Sequence, residues 1–179
     1  MTLSGTGLDP LSVIVLALVT LQRLGELILA QRNTAALISE GGVEHGAAHY
    51  PLIVGLHAAW LGGLWLLASG TTPSWPWLAV FLALQALRLW ILATLGRRWT
   101  TRIVVLPGAP LVSGGPYRYL SHPNYAVVSA EILVLPAAFG LWTYALVFSL
   151  LNALLLSHRI RVEEDALRRV EAATPGGAR

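Results

Sequence analysis

The sequence predicts an all-α polytopic integral membrane protein. About five transmembrane helices are expected, the last two forming a tilted hairpin, followed by a C-terminal amphipathic helix, all in a single domain over residues 1–179. Three observations carry this. The chain is 55% hydrophobic and only 12% charged, whereas a soluble domain has about a quarter of its residues charged. Its apolar stretches are long enough to cross a bilayer. Its loop from Arg97 to Arg118 is rich in positive charge and has no acidic residue, as in proteins oriented by the positive-inside rule. There is no Cys, hence no disulfide framework and no thiolate metal site. All the positive charge is arginine, since no lysine occurs. No basic run with interleaved aromatics is present, so the basic balance points to an anionic membrane surface and not to nucleic acid.

Leu11 to Leu29 is almost unbroken apolar sequence and, at about 1.5 Å per residue, spans a hydrocarbon core. Without a basic leader or a small-residue cleavage site it reads as a retained helix and not a signal peptide. Arg23 and Glu26 lie in its last turns at i,i+3 and are expected to neutralise each other. Gln31 to His49 is polar, a loop with a short surface helix. The second span runs from Tyr50 to Ser69. His49 and His57 share roughly one face of it, but with no third ligand at helical spacing they read as hydrogen-bonding histidines and not a metal site.

Gly70 to Pro76 is a tight, Trp-flanked turn at the interface, and the third span follows from Trp77 to Gly96. Inside it sit Gln85 and Arg88. An arginine at that depth either serves a site or pairs with Glu26 or Glu131. Arg97, Arg98, Arg102 and Arg118 follow with no acidic residue before Glu131, which places this loop in the cytoplasm and, counting back through three spans, the N-terminus outside. Ala126 to Phe139 and Leu141 to Leu156 are each short for a full crossing and are separated by Pro136 to Gly140, hence the tilted hairpin, which returns the C-terminus to the arginine side. From His158 to Ala172 the pattern is amphipathic, and the tail from Thr174 is expected to be disordered.

Two remote stretches carry the chemistry. In GGPYRYLSHPNY, Gly114 to Tyr125, the first three residues mark a turn, and Ser121 or His122 before Pro123 reads as a helix start. Such a start offers unpaired backbone N–H groups to an anion. In RIRVEEDAL, Arg159 to Leu167, Glu163 and Glu164 fall inside the apolar stripe of Ile160, Leu167 and Val170. Arg161 with Asp165, and Glu164 or Asp165 with Arg168 or Arg169, read equally well as surface pairs, a reading that leaves Glu163 unexplained. Brought to one membrane face, these stretches supply His122, Tyr117, Tyr119, Tyr125, Arg118, Arg159, Glu163, Glu164 and the backbone donors beginning near Asn124. A ligand with a carboxylate, an ammonium and ribose hydroxyls matches that set, and S-adenosylmethionine is such a ligand.

GPYRYLSHPNY, then Glu131, then RIRVEEDAL after an apolar hairpin, resembles the isoprenylcysteine carboxyl methyltransferase family of integral membrane S-adenosylmethionine enzymes, most strongly from Gly114 to Leu167. The stretches RRWTTRIVVLPG, LQRLGELILAQRN and HYPLIVGLHAAW look like a bacterial branch associated with O-methylation of polyketide lipids such as alkylpyrones and alkylresorcinols. The resemblance implies a cofactor-binding half over about 97–172, with Tyr117, Leu120, His122, Pro123, Tyr125, Glu163 and Glu164 as cofactor-binding residues. It also places Arg159 near the reacting groups. The expected acceptor is lipophilic and enters from the bilayer. The expected location is a bacterial inner membrane, with the site facing the cytoplasm.

The chain departs from the family pattern at Ser121, where an arginine is usual, and at Val127, where a glycine is. If that arginine positions a carboxylate acceptor, its absence favours a phenol or enol hydroxyl, for which His122 or Glu131 is a candidate base. Two other functions remain open on the residues: an NADPH-dependent membrane reductase of sterol-like lipids, or a non-catalytic membrane subunit or transporter. No phosphate-binding GxxxxGK[ST], GxSxG elbow or HExxH occurs, so nucleotide hydrolysis, serine hydrolysis and zinc proteolysis have no foothold.

Overall fold

A computed structural model describes residues 8–173. The expected tail from Thr174 lies outside them. Five helices account for most of the chain: α1 (Pro10–Ser39), α2 (Tyr50–Ala68), α3 (Trp75–Leu95), α4 (Pro123–Ala138) and α5 (Trp142–Ala173). Two short strands, β1 (Val43–His45) and β2 (Ile103–Val105), pair antiparallel with Val43 opposite Val105 and His45 opposite Ile103.

α1, α2, α3 and α5 are each long and apolar enough to cross a membrane, and α4 is a shorter apolar helix. Their outward faces carry exposed leucines, among them Leu21, Leu66, Leu82, Leu89, Leu150 and Leu154. So continuous an apolar surface is stable in lipid and not in water. The protein is integral to the membrane. Inside, Leu16, Trp60, Leu64, Phe81, Ile132 and Leu135 form the main core.

Proline at the first or second position opens α1, α2, α3 and α4. Asp9 caps α1, its carboxylate accepting from the Ser12 N–H at 2.9 Å, with Pro10 at the first helical position. Asp9 also accepts from Thr72 Oγ1 at 2.8 Å, and the Ser74 N–H donates to the Ala138 carbonyl at 2.7 Å, which closes that end of the bundle. The buried positions of α1, Ser12, Leu16, Val19, Glu26, Ala30, Asn33 and Leu37, are spaced by three or four, with one step of seven from Val19 to Glu26. They form one continuous seam along the whole helix.

Charged groups occupy the middle of that seam. Arg88 of α3 grips Glu26 of α1 with two bonds, Nε to Oε1 at 2.5 Å and Nη2 to Oε2 at 2.7 Å, and reaches Glu131 of α4 with Nη1 at 2.8 Å. Arg23 donates to both carboxylates, at 2.9 Å to Glu26 and 2.8 Å to Glu131. Gln22 and Gln85 complete the cluster, donating to Glu26 and Glu131 respectively. Two arginines and two glutamates neutralise one another, as intramembrane charges must. Arg88 therefore pairs with both Glu26 and Glu131.

Two sequence expectations are corrected. α1 does not stop near Leu29 but continues to Ser39. The region expected as a loop with a surface helix instead contributes the rest of α1, the β1 strand and a single 3-10 turn at Ala47–His49. The amphipathic C-terminal segment is not a separate helix either: α5 runs unbroken for 32 residues, about 48 Å at helical rise. Its far end therefore leaves the spanning part and packs Val162, Ala166, Leu167 and Val170 on Ile103 and Val105 of β2.

Candidate functional site

The Gly114–Tyr125 stretch is folded as a 3-10 turn, Gly115–Arg118, followed by the first turn of α4. Gly115 has φ +56°, and a Cβ there would meet Thr94 Oγ1 of α3 at 2.4 Å. Only glycine lets this turn lie so close to α3. His122, with φ −130° and ψ 62°, is the N-cap of α4, and Pro123 is its first residue. The backbone N–H groups of Asn124 and Tyr125 thus open the helix without an intrahelical acceptor.

Tyr125 is where the two remote stretches meet. Its hydroxyl accepts from Arg159 Nε at 2.8 Å and donates to Glu163 Oε2. A hydroxyl can serve both partners at once because it is donor and acceptor together. Arg159 is buried, at 7% exposure, and its Nη2 donates to the Thr101 carbonyl at 2.8 Å, which ties the arginine-rich loop to α5. The His122 ring stacks on Tyr125 with centroids 5.4 Å apart, and its Nε2 lies 3.7 Å from Glu164 Oε1. Glu164 also faces Arg168 Nη2 at 3.6 Å.

His122, Tyr125, Arg159 and Glu163 border a cavity of about 550 Å³, a size suited to small-molecule ligands. Its polar lining includes Tyr117, His122, Asn124, Tyr125, Arg159 and Glu163. Burial, aided by the charge of Glu163, pushes the Tyr117 hydroxyl up to about 12, so it is neutral and able to donate at physiological pH. Its apolar lining includes Leu95, Ile103, Val105, Leu106 and Leu111. Asn124 Oδ1 is buried without a hydrogen-bond partner, the kind of orphan acceptor a ligand donor satisfies. Open N–H groups for a carboxylate, the Glu163 carboxylate for an ammonium or hydroxyls, and an unpaired amide oxygen together fit S-adenosylmethionine.

The structure brings Tyr117, His122, Tyr125, Arg159 and Glu163 to the cavity wall; Pro123 and Glu164 lie beside them without lining it, and Arg118, Tyr119, Leu120 and Glu131 stand aside. Leu120 is 54% exposed and does not line the cavity. Glu131, at 1% exposure, belongs to the sealed cluster with Arg23, Gln85 and Arg88.

Four contributors escaped the sequence reading. Thr101 acts through its carbonyl, which carries no side-chain signal. Arg98 and Arg102 line the cavity but read in sequence as orienting charge only. Asn33, whose Nδ2 donates to the Trp99 carbonyl at 2.7 Å and the Gly96 carbonyl at 3.3 Å, anchors the loop to α1. Its spacing of seven from Glu26 marked it as part of the same buried seam.

The profile of the isoprenylcysteine carboxyl methyltransferase (ICMT) family matches residues 77–169, from α3 through both stretches that form the site. Over 161 residues the chain is 40% identical to "Uncharacterized protein YpbQ" of Bacillus subtilis (strain 168), covering 87% of this chain and 95% of that protein. A Haemophilus influenzae relative, "Uncharacterized protein", is 26% identical over 156 residues, 81% of this chain and 88% of its own. No solved structure matches. With its spanning helices and its paired HPNY and RIRVEE stretches, the chain belongs to the isoprenylcysteine carboxyl methyltransferase family of membrane methyltransferases.

Proposed function

We propose that this protein is an S-adenosylmethionine-dependent O-methyltransferase acting on a lipophilic acceptor, the hydroxyl of an alkylpyrone- or alkylresorcinol-type polyketide lipid or a prenylcysteine-like carboxylate. One observation carries the reading: the Tyr125 hydroxyl is bonded to Arg159 and Glu163 together, so one compact site is built from chain segments more than thirty residues apart. When bound, S-adenosylmethionine supplies an electrophilic methyl group on a sulfonium.

The chain's own residues bind, orient and exclude water. The Asn124 and Tyr125 N–H groups at the start of α4 take an anionic carboxylate. Glu163 and Glu164 take an ammonium and hydroxyls, and Asn124 Oδ1 takes a further donor. Pro123 fixes the direction of that helix start, while Tyr117 and the His122 ring wall the polar end. Arg159, fixed from two sides, is oriented toward the reacting groups. Alignment of two substrates away from water is the main catalytic demand of a displacement of this kind. Glu131 serves the scaffold, since both of its oxygens are engaged. The arginine-rich end carries the site, which supports a cytoplasmic face of the inner membrane.

The test is lipid analysis. Membranes with and without the protein, compared by mass spectrometry, are expected to differ by a methyl-sized mass gain on a minor lipid. Purified protein should transfer label from S-adenosylmethionine to that lipid. Label transfer to no lipid, together with binding of NADPH, contradicts the reading.

A further inference from the structure

A second cavity, of about 220 Å³, lies between α1 and the start of α2, lined by Gln31, Thr34 and Ala35 of α1, Tyr50 of α2, and Thr101 and Arg102. It is smaller than the pockets of about 300–1,000 Å³ that take whole small molecules, and so suits a compact polar group. All of its lining except Ala35 is polar. Tyr50 and Thr101 share a hydrogen bond of 3.0 Å between their hydroxyls, and whichever donates, the other keeps an O–H for a ligand. The Arg102 guanidinium lies over the Tyr50 ring at 4.4 Å and donates from Nη1 to Glu44 Oε1 at 2.6 Å. Its Nε and Nη2, like the second oxygen of Glu44 and the side chains of Gln31 and Thr34, have no hydrogen-bond partner among the described residues. The cavity therefore presents spare donors around a cation, with an anion at its border.

The cavity is continuous with the lipid-facing surface. Leu24 and Ile28 share the face of α1 that carries Gln31, Thr34 and Ala35, at helical spacings of three and four, and both are exposed. Val54, one turn along α2 from Tyr50, is exposed as well. A polar pocket thus caps an apolar strip that runs on into the bilayer along both helices. An amphiphile matches that arrangement, and a free solute uses only half of it. The same chain segment also bounds the main cavity: Arg102 lines both, and the Thr101 carbonyl accepts from Arg159 Nη2 at 2.8 Å.

We propose that this second cavity holds the headgroup of a membrane glycerophospholipid bearing a phosphate and a free ammonium, and that the bound lipid steadies the Thr101–Arg102 segment that positions Arg159. The phosphate meets Arg102, Gln31, Thr34 and the spare hydroxyl proton, the ammonium meets Glu44, and an acyl chain follows Leu24, Ile28 and Val54. The headgroup's two charges answer the Arg102–Glu44 pair one for one. The coupling to Arg159, though not the lipid site, rests on the methyltransferase reading above.

Lipid-depleted full-length protein in detergent, titrated with phosphatidylethanolamine or phosphatidylcholine of identical acyl chains and followed by native mass spectrometry, tests the site. Phosphatidylcholine keeps both charges but has no N–H to donate. Wild type is expected to bind phosphatidylethanolamine about tenfold more tightly and to gain thermal midpoint with it, whereas inorganic phosphate at the same concentration changes nothing. Glu44→Gln should erase the preference. The double variant Gln31→Leu/Thr34→Val, confined to the smaller cavity, should weaken both lipids about tenfold. Phosphatidylethanolamine should also tighten S-adenosylhomocysteine about fivefold in wild type and not in the double variant. Equal binding of the two lipids, a preference that survives in Glu44→Gln, or undiminished binding by the double variant would overturn the lipid site, and stabilisation by inorganic phosphate alone would replace the lipid with a free anion. Selective lipid binding with unaltered S-adenosylhomocysteine affinity would overturn the coupling. Absence of S-adenosylhomocysteine binding with and without lipid would overturn the methyltransferase reading and the coupling with it, while the lipid titrations still decide the site.

Discussion

The molecule holds two polar clusters that are built to opposite plans. The membrane cluster of Arg23, Glu26, Arg88 and Glu131 is balanced in charge, and its carboxylates are buried and doubly engaged. The cavity cluster around Tyr125 is open on one side, has a buried arginine with no carboxylate of its own, and leaves Asn124 Oδ1 unpaired. Similar residue types are used in both places. The difference is completeness: the first cluster satisfies itself and so holds helices together, whereas the second is finished only by something that binds.

Breaking the complete cluster should cost the most. Arg88→Met leaves Glu26 and Glu131 short of their main partner inside the membrane, and is expected to destabilise the fold by about 3–5 kcal/mol, seen as a large drop in thermal midpoint in detergent. Removing Glu131 along with it, as Arg88→Met/Glu131→Gln, should recover part of that loss. If Arg88→Met leaves stability intact but abolishes cofactor binding, the division between the clusters is wrong.

A smaller effect is expected at the cavity. Tyr125→Phe deletes the one hydroxyl shared by Arg159 and Glu163 while keeping the ring that stacks on His122. Affinity for S-adenosylhomocysteine should fall about tenfold, with the thermal midpoint nearly unchanged. A variant that loses stability and keeps affinity would move Tyr125 from the site to the scaffold.

The smallest effect concerns Tyr117, whose hydroxyl is pushed up to about 12 by burial and by Glu163. The folded protein keeps this proton where an unfolded tyrosine, with its pKa of about 10, has lost it. Tyr117 therefore contributes nothing to pH dependence below that value, and stability falls as pH rises from about 10 toward 12. Tyr117→Phe should flatten the unfolding profile in that window only. An unchanged slope would show that the hydroxyl is not held as described.

Much of this contrast was legible in the chain. Hydropathy and the Pro136–Gly140 break located the spans and the α4–α5 hairpin, because a bilayer makes apolar length a strict requirement. Pro123 announced the start of α4, and Glu163 stood out because a carboxylate inside an apolar stripe has no surface explanation. The short β1–β2 pair was not legible, since three-residue strands leave no periodic trace. Neither was the continuity of α5, because hydropathy changes abruptly at His158 while helix geometry does not. Arg98 and Arg97 are identical in composition and adjacent in sequence, and only three-dimensional placement separates the one lining the cavity from the one paired with Glu40. Glu131 lies about one residue short of two full turns beyond Tyr125, too far along α4 for its carboxylate to share the cavity.

The most direct measurement is calorimetric titration of the purified full-length protein and of Glu163→Gln with S-adenosylhomocysteine. Saturable binding by the wild type, weakened about tenfold to a hundredfold in a variant that unfolds at nearly the same temperature, is the predicted result. Unaltered affinity in Glu163→Gln, or no binding by wild type, would contradict it.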